Sequence, residues 1–500
     1  MLLRQLADRL LRDDDGGVLI LFALLLPVLL GMGMLAIDGG RYFNLHTSMQ
    51  KGADALALAA AAELDGQPDS ITRANRALAN VTANDPKFGM SGGRITTSAV
   101  RFLKSLPTSD AQALTAANVT TDPKEAAFVE VQATAVPFKS YFAAAAGMVG
   151  AGPSQANATA VAGFDSAACN IAPLFMCNPF EGSSENIFLA GRDPSFKKRL
   201  ISVRKKGSSV GSGNYGFLEP AYGTGGAAVR DALAIDEPKG CYPKSGVEMQ
   251  TGNIASTAEA MNVRFDLYEG NFSAYKGNPE YRPSRNVRKG YKYTSSCSQE
   301  ADYDPTKPPS HLLNLNKALG LPRDTCFYTN NCSFGGAAVD GRIGNGTWDF
   351  ETYWTRTFNT TFPNGWSNTN VPTRYEVYRY EIEHNMTNTP TAGGGLLQAF
   401  TGANEKGAPI CYTGGNSTLT DSPDRRLFVG AIIDCEAAVA AGAFTGSSGG
   451  RVPVVAYAKF FMTEPMDKND GTIWAEMVEL IEPGTAAART YIRDSVVLYR

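Results

Sequence analysis

The sequence predicts an α+β chain: a single amino-terminal transmembrane helix that continues as a long helix with a small sheet, followed by a mixed, β-rich, disulfide-containing extracytoplasmic domain. Three observations carry this. Residues 18–37 form an uncharged apolar run of 20 positions. An apolar stripe at helical spacing, alanine-rich over residues 53–62, follows it. All eight cysteines lie after residue 168.

At 1.5 Å per residue the apolar run spans about 30 Å, one hydrocarbon core. Its anchoring positions include Val18, Phe22, Pro27 and Ile37. A cleavable signal peptide has a shorter apolar region and ends at small residues, whereas this run leads into Asp38-Gly39-Gly40-Arg41. Arg4, Arg9 and Arg12 precede the run, and Arg41 and Lys51 follow it, a slight positive-inside bias. An even cysteine count on one side of the run suits disulfides in an oxidising compartment. The reading is an amino terminus in the cytoplasm and the bulk of the chain outside it.

Beyond Arg41 an apolar stripe runs through Tyr42, Leu45, Met49, Ala53, Leu56, Ala60 and Leu64. The steps of three or four residues are helical. One helix over about 18–64 is expected, ended by Gly66 and Pro68, with a second over 70–84. Strands are expected over 94–103, 126–136 and 156–163, where β-branched and apolar residues alternate. Residues 268–331 read as loops rich in proline. The segments 427–435, 452–463 and 472–481 read as strands of a buried sheet. The resulting division is 1–17 cytoplasmic, 18–37 membrane helix, 38–164 helix plus small α+β unit, and 165–500 cysteine-containing β-rich domain.

Composition sets limits on function. Lys plus Arg is 46 and Asp plus Glu is 49, a net charge of −3, so nucleic acid is not an expected partner. Three histidines, His46, His311 and His384, leave little for histidine-based catalysis. Gly211 to Gly216 matches G-x-G-x-x-G, but Pro220 follows where a phosphate-binding helix is needed. Gly207-Ser208-Ser209-Val210-Gly211 matches G-x-S-x-G without a strand–turn–helix setting. Asp467 to Gly471 with Glu476 misses the calcium-loop spacing and reads as a hairpin turn. No C-x-x-C occurs. No enzyme activity, cofactor or metal is expected. Local bridges Cys169–Cys177 and Cys326–Cys332 are the pairings suggested by nearness in sequence. Arg282, Arg285, Arg288 and Lys289, interleaved with Tyr281, Tyr291 and Tyr293, suggest an alternative role for 165–500, a surface-displayed adhesin that grips glycan or a cell surface.

The amino-terminal motif resembles a known family. Gly17, the apolar run with its proline, Asp38-Gly39-Gly40-Arg41-Tyr42, and Gln50, Ala53, Asp54 and Ala55 in an alanine-rich helix resemble the TadG-like amino-terminal domain of TadE/TadG-like Flp (tight adherence) pilus-assembly proteins. Arg425-Arg426-Leu427, 460–465 and 475–478 also look like the tail of some TadG-like proteins. The resemblance implies a pilin-like long helix, a single-pass location in the bacterial inner membrane, and a non-enzymatic part in type IV pilus assembly. The implied partners are membrane lipid, pilin and other pilus-assembly proteins. One position departs from the pattern: where TadE-like pseudopilins carry a glutamate, this chain has Leu21. A permanently anchored, envelope-side assembly factor therefore fits better than a processed shaft subunit.

Overall fold

The computed structural model describes residues 16–84, 96–107, 112–123, 125–138, 154–181, 185–205, 213–250, 256–290, 297, 304–312, 318–334, 341–358, 360–363, 365–388, 407–440, 442–444, 451–482 and 484–499. It forms two compact units, Met1–Asp165 with Asp494–Arg500, and Ser166–Arg493.

In the first unit, helix α1 (Gly16–Ala61) and helix α2 (Ser70–Asn84) pack with an antiparallel sheet. Its strands are β1 (Thr97–Leu103), β2 (Phe128–Ala133), the first part of β5 (Thr159–Cys169) and the carboxy-terminal β15 (Ile492–Leu498), in the order β1-β2-β5-β15. The short strands β3 (Val136–Phe138) and β4 (Ser154–Ala156) form a separate pair. Arg101 pairs with Glu130, directly opposite across β1 and β2. The corner between the helices is held by Arg73, which reaches Glu63 at 2.9 Å, Asp65 at 2.6 Å and also Asp69.

The second unit is built on a closed six-stranded barrel. In chain order its strands are β6 (Leu174–Cys177), β7 (Leu200–Lys205), β8 (Asn214–Phe217), β11 (Leu427–Ile433), β13 (Val454–Met462) and β14 (Ile473–Ile481). Around the barrel they run β11-β13-β14-β7-β8-β6, and parallel pairing of β6 with β11 closes the ring. Closure leaves no strand edge in the ring. Alternate residues face different cores: Leu174 and Met176 belong to one cluster, Phe175 and Cys177 to another. Both faces are therefore buried, which is why these strands read as near-continuous apolar runs. Gly216 of β8 is required by this packing, because a Cβ there would lie 2.5 Å from the Phe175 ring. Two small pairings lie outside the ring: β9 (Cys241–Pro243) on the end of β5, and β10 (Val247–Glu248) with β12 (Arg451–Val452). Helices α3 (Gly225–Ala234), α4 (Phe350–Phe358), α5 (Arg374–Glu383) and α6 (Cys435–Ala440) complete the elements used below.

Two expectations change. Among the described residues no helix is long and apolar enough to cross a membrane. Val18 and Pro27 lie in α1, and their side chains are outside the described ones. Cys169 pairs with Cys241, not with Cys177, because β9 lies beside β5 and sets Cys169 opposite Cys241. Cys177 instead joins Cys435 across the parallel β6–β11 closure, and Cys297 joins Cys411. Cys326 joins Cys332 within a short turn.

Glu181 follows the barrel strand β6 and caps the start of α6, accepting from the amides of Cys435 at 2.7 Å and Glu436 at 3.1 Å. Burial pushes its carboxyl up to about 7; the two amides oppose this, and Asp434 and Glu436 reinforce it. The folded state thus holds a proton that the unfolded chain releases. Its contribution to stability grows as pH falls from about 7 toward the ordinary carboxylate range. Glu181→Gln should flatten that part of the pH profile of Tm. An unchanged difference between wild type and variant from pH 7 to pH 5 would refute it.

Candidate functional site

The residues of the amino-terminal motif all lie on α1, and the helix divides into two halves. In the distal half, Met49, Ala53, Leu56, Ala57, Ala60, Ala61 and the following Leu64 are buried. Their spacing of three to four residues puts them on one face. That face meets Ala74 and Leu78 of α2 and Val129, Val131, Ala133, Ala156, Ala160 and Ala162 of the sheets. Small residues on both sides let the helix backbone approach the sheet closely. Alanine there serves packing as well as helix propensity.

Polar groups fix the register of this seam. Gln50 donates to Asp54 Oδ1 at 2.8 Å, one helical turn on, and to the Thr159 carbonyl at 3.1 Å, at the start of β5. Asp54 thereby orients the amide that ties the helix to the sheet. Ala53 is fully buried and Ala55 half-buried on the neighbouring face. Toward the other half, Asp38 and Arg41 pair at 3.1 Å, three residues apart. Arg41 lies over the Phe138 ring at 5.4 Å, and Tyr42 meets the same ring edge-on at 5.6 Å. Phe138 of β3 thus marks where the docked half of the helix begins.

The proximal half has a different character. Leu21, Phe22, Leu24, Leu25, Leu26, Val28, Leu29, Met32, Ile37 and Phe43 are exposed. Large contiguous apolar surface of this kind marks contact with a membrane or another protein. A Cβ added at Gly33, Gly39 or Gly40 would meet nothing within 4 Å, so this chain's own packing does not require glycine there. Gly17 lies in the first turn of α1.

The other sequence motifs resolve into structure. Gly213 is followed by strand β8, not by a helix whose amides face a phosphate; Gly211 and Ser212 lie outside the described residues, as does Ser209. His384 sits at the end of α5, its Nδ1 at 3.0 Å from the Tyr380 carbonyl and its ring stacked on Tyr380. His311 lies in a separate short turn (Pro309–Leu312). Asp467 and Asp470 accept from backbone amides of the β13–β14 hairpin, and Glu476 is buried against Arg374. Among the described residues no group of three or more metal-ligating side chains occurs.

The basic, tyrosine-rich segment is the largest change in meaning. Arg282 is 3% exposed, bound to Asp236 at 3.0 Å and to the carbonyls of Thr420 and Pro423. Arg288 is buried with Glu381, and Tyr281 is buried, its hydroxyl on Asp231. Arg285 pairs with Asp421 at 3.0 Å. Tyr291 and Tyr293 lie outside the described residues. These cations join segments within the second unit, which removes the exposed basic patch that motivated the adhesin reading.

Residues 16–63 match the family described as "Tad: Putative Flp pilus-assembly TadE/G-like". No curated protein and no solved structure matches the chain.

Proposed function

We propose that this protein is a non-enzymatic, membrane-anchored component of Tad/Flp pilus assembly that acts from the envelope side. The family match over 16–63 supports a role in pilus assembly. The observation that carries the finer reading is the division of α1 within that same segment. Its distal half is docked onto its own unit through Gln50, Asp54 and the alanine face, while its proximal half exposes apolar side chains from Leu21 to Ile37. A helix bound along half its length to its own sheet presents that unit rigidly at the base of an anchor. The membrane lipid takes the exposed half, with the amino terminus cytoplasmic and the remainder periplasmic or extracellular. Leu21, in place of the glutamate of TadE-like pseudopilins, supports a standing assembly factor over a subunit drawn into the shaft. Pilin and other pilus-assembly proteins are the partners of this reading, and nucleic acid is not.

Membrane fractionation of the full-length chain tests the anchor. Wild type should sediment with membranes and resist carbonate extraction. Leu25→Arg with Leu29→Arg should move it to the soluble fraction, since each central arginine costs about 2.5–3.5 kcal/mol of insertion. Equal distribution of the two proteins would contradict the anchor.

A further inference from the structure

The first unit is one continuous segment, Met1–Asp165, apart from Asp494–Arg500. That piece from elsewhere in the chain belongs to β15, which lies beside β5 at the edge of the sheet. Ser495 Oγ donates to the Asp165 carbonyl at 3.3 Å, 330 residues away in sequence. The Tyr499 amide donates to the Val161 carbonyl at 2.8 Å. Residue numbers rise along β15 as they fall along β5, so the two strands run antiparallel.

The edge of β5 is shaped for this strand. On one face, Val496 and Phe164 both pack against the cluster that contains Met49, Ala53 and Ala57 of α1. Val497 and Tyr499, an odd number of positions on, project from the opposite face. There Gly163 leaves a slot. A Cβ on it would lie 2.4 Å from Cδ1 of Phe128, its partner on β2, and 2.9 Å from Cε2 of Tyr499. The two rings meet edge-on with centroids 5.2 Å apart. The strand is nonetheless lightly held. None of its seven residues is buried, whereas β2 buries four. A segment matched to an edge but burying little is held by main-chain hydrogen bonds and by its tether, as an added strand is.

We propose that the β5 edge of the first unit is a strand-binding site, and that segment 494–499 is its exchangeable intramolecular ligand. The ligand class is an extended peptide with a β-branched residue facing α1 and an aromatic ring, at the position of Tyr499, in the Gly163–Phe128 slot. Bound, the strand adds Val496 to the core onto which α1 docks; released, it bares the edge of β5. The proposal rests on the fold and not on pilus assembly.

Fluorescence anisotropy of the full-length protein in detergent tests it, with a fluorescein-labelled peptide of residues 492–500 as the probe. Val496→Asp/Tyr499→Asp should release the strand in cis, and this variant should bind the peptide saturably. Wild type, its edge already filled by a tethered copy, should bind at least about tenfold more weakly. Gly163→Val in the released variant, or Tyr499→Asp in the peptide, should each weaken binding about tenfold by closing or emptying the slot. No peptide binding by the released variant, or equal binding by wild type, would overturn the proposal. Hydrogen exchange of the wild type gives a check that needs no variant. The Tyr499 amide should exchange at least about tenfold faster than the amides of β2, because the strand opens locally. Exchange as slow as that of β2 would also overturn it.

Discussion

Replacing Arg374 with methionine should destabilise the second unit by about 3–5 kcal/mol, the usual cost of removing one partner from a buried ion pair. Arg374 is fully buried. Its Nη2 binds Asp324 at 2.6 Å, its Nη1 binds Glu476 at 2.7 Å, and its Nε donates to the Pro322 carbonyl at 2.6 Å. Asp324 also accepts from the amides of Leu200 at 3.2 Å and Gly346 at 2.7 Å, and Glu476 from those of Arg374 and Tyr375 at 3.1 Å. One guanidinium therefore ties the first turn of α5 to the barrel strands β7 and β14 through two carboxylates. Removing it leaves both carboxylates buried without a cation. The midpoint of urea unfolding of the full-length protein measures the loss. Adding Asp324→Asn and Glu476→Gln to the methionine variant should recover much of it, because the uncompensated charge is then gone. A loss below about 1 kcal/mol would show that the triad contributes little.

The second large effect belongs to the Cys177–Cys435 bridge. It spans 258 residues in sequence yet joins the end of β6 to the first residue of α6, two residues beyond β11, with Cys177 directly paired to Ile433. In the chain-entropy account, closing so long a loop contributes about 5 kcal/mol, against about 2 kcal/mol for a loop as short as that of Cys326–Cys332. The double variant Cys177→Ser/Cys435→Ser should lower Tm far more than Cys326→Ser/Cys332→Ser. Equal shifts would contradict the ranking. Because the bridge sits where parallel pairing closes the barrel, its loss should also increase hydrogen exchange in β6 and β11.

Much of this fold was legible in the residues. The period of Met49, Ala53, Leu56 and Ala60 marked the buried face of α1, and α2 falls on the expected 70–84. The apolar runs near 427, 454 and 473 became β11, β13 and β14. The barrel was not legible, because three of its strands are short and its closure depends on pairing β6 with β11, some 250 residues away. The pairing of Cys169 with Cys241 was hidden for a related reason: Cys169 ends β5 beside β9, outside the barrel, while the nearer Cys177 lies on the barrel strand β6. Nor did local pattern show that Val496 and Tyr499 return to the first unit, where Tyr499 packs on Phe128 and donates from its amide to Val161. The arginines at 282 and 288 read as part of a basic, tyrosine-rich surface patch, and only the fold supplies the carbonyls and carboxylates that bury them. In the candidate site, Asp38, Arg41, Gln50 and Asp54 were visible as a motif, but the Gln50 bond to Thr159, 109 residues away, was not.

The most direct test of the central claim is surface piliation in a strain carrying an in-frame deletion of this gene, scored by electron microscopy beside an immunoblot for the major pilin. The account predicts that pili disappear while pilin is still made, and that the full-length gene restores them but the Leu25→Arg/Leu29→Arg form does not. Normal piliation of the deletion strain would contradict it.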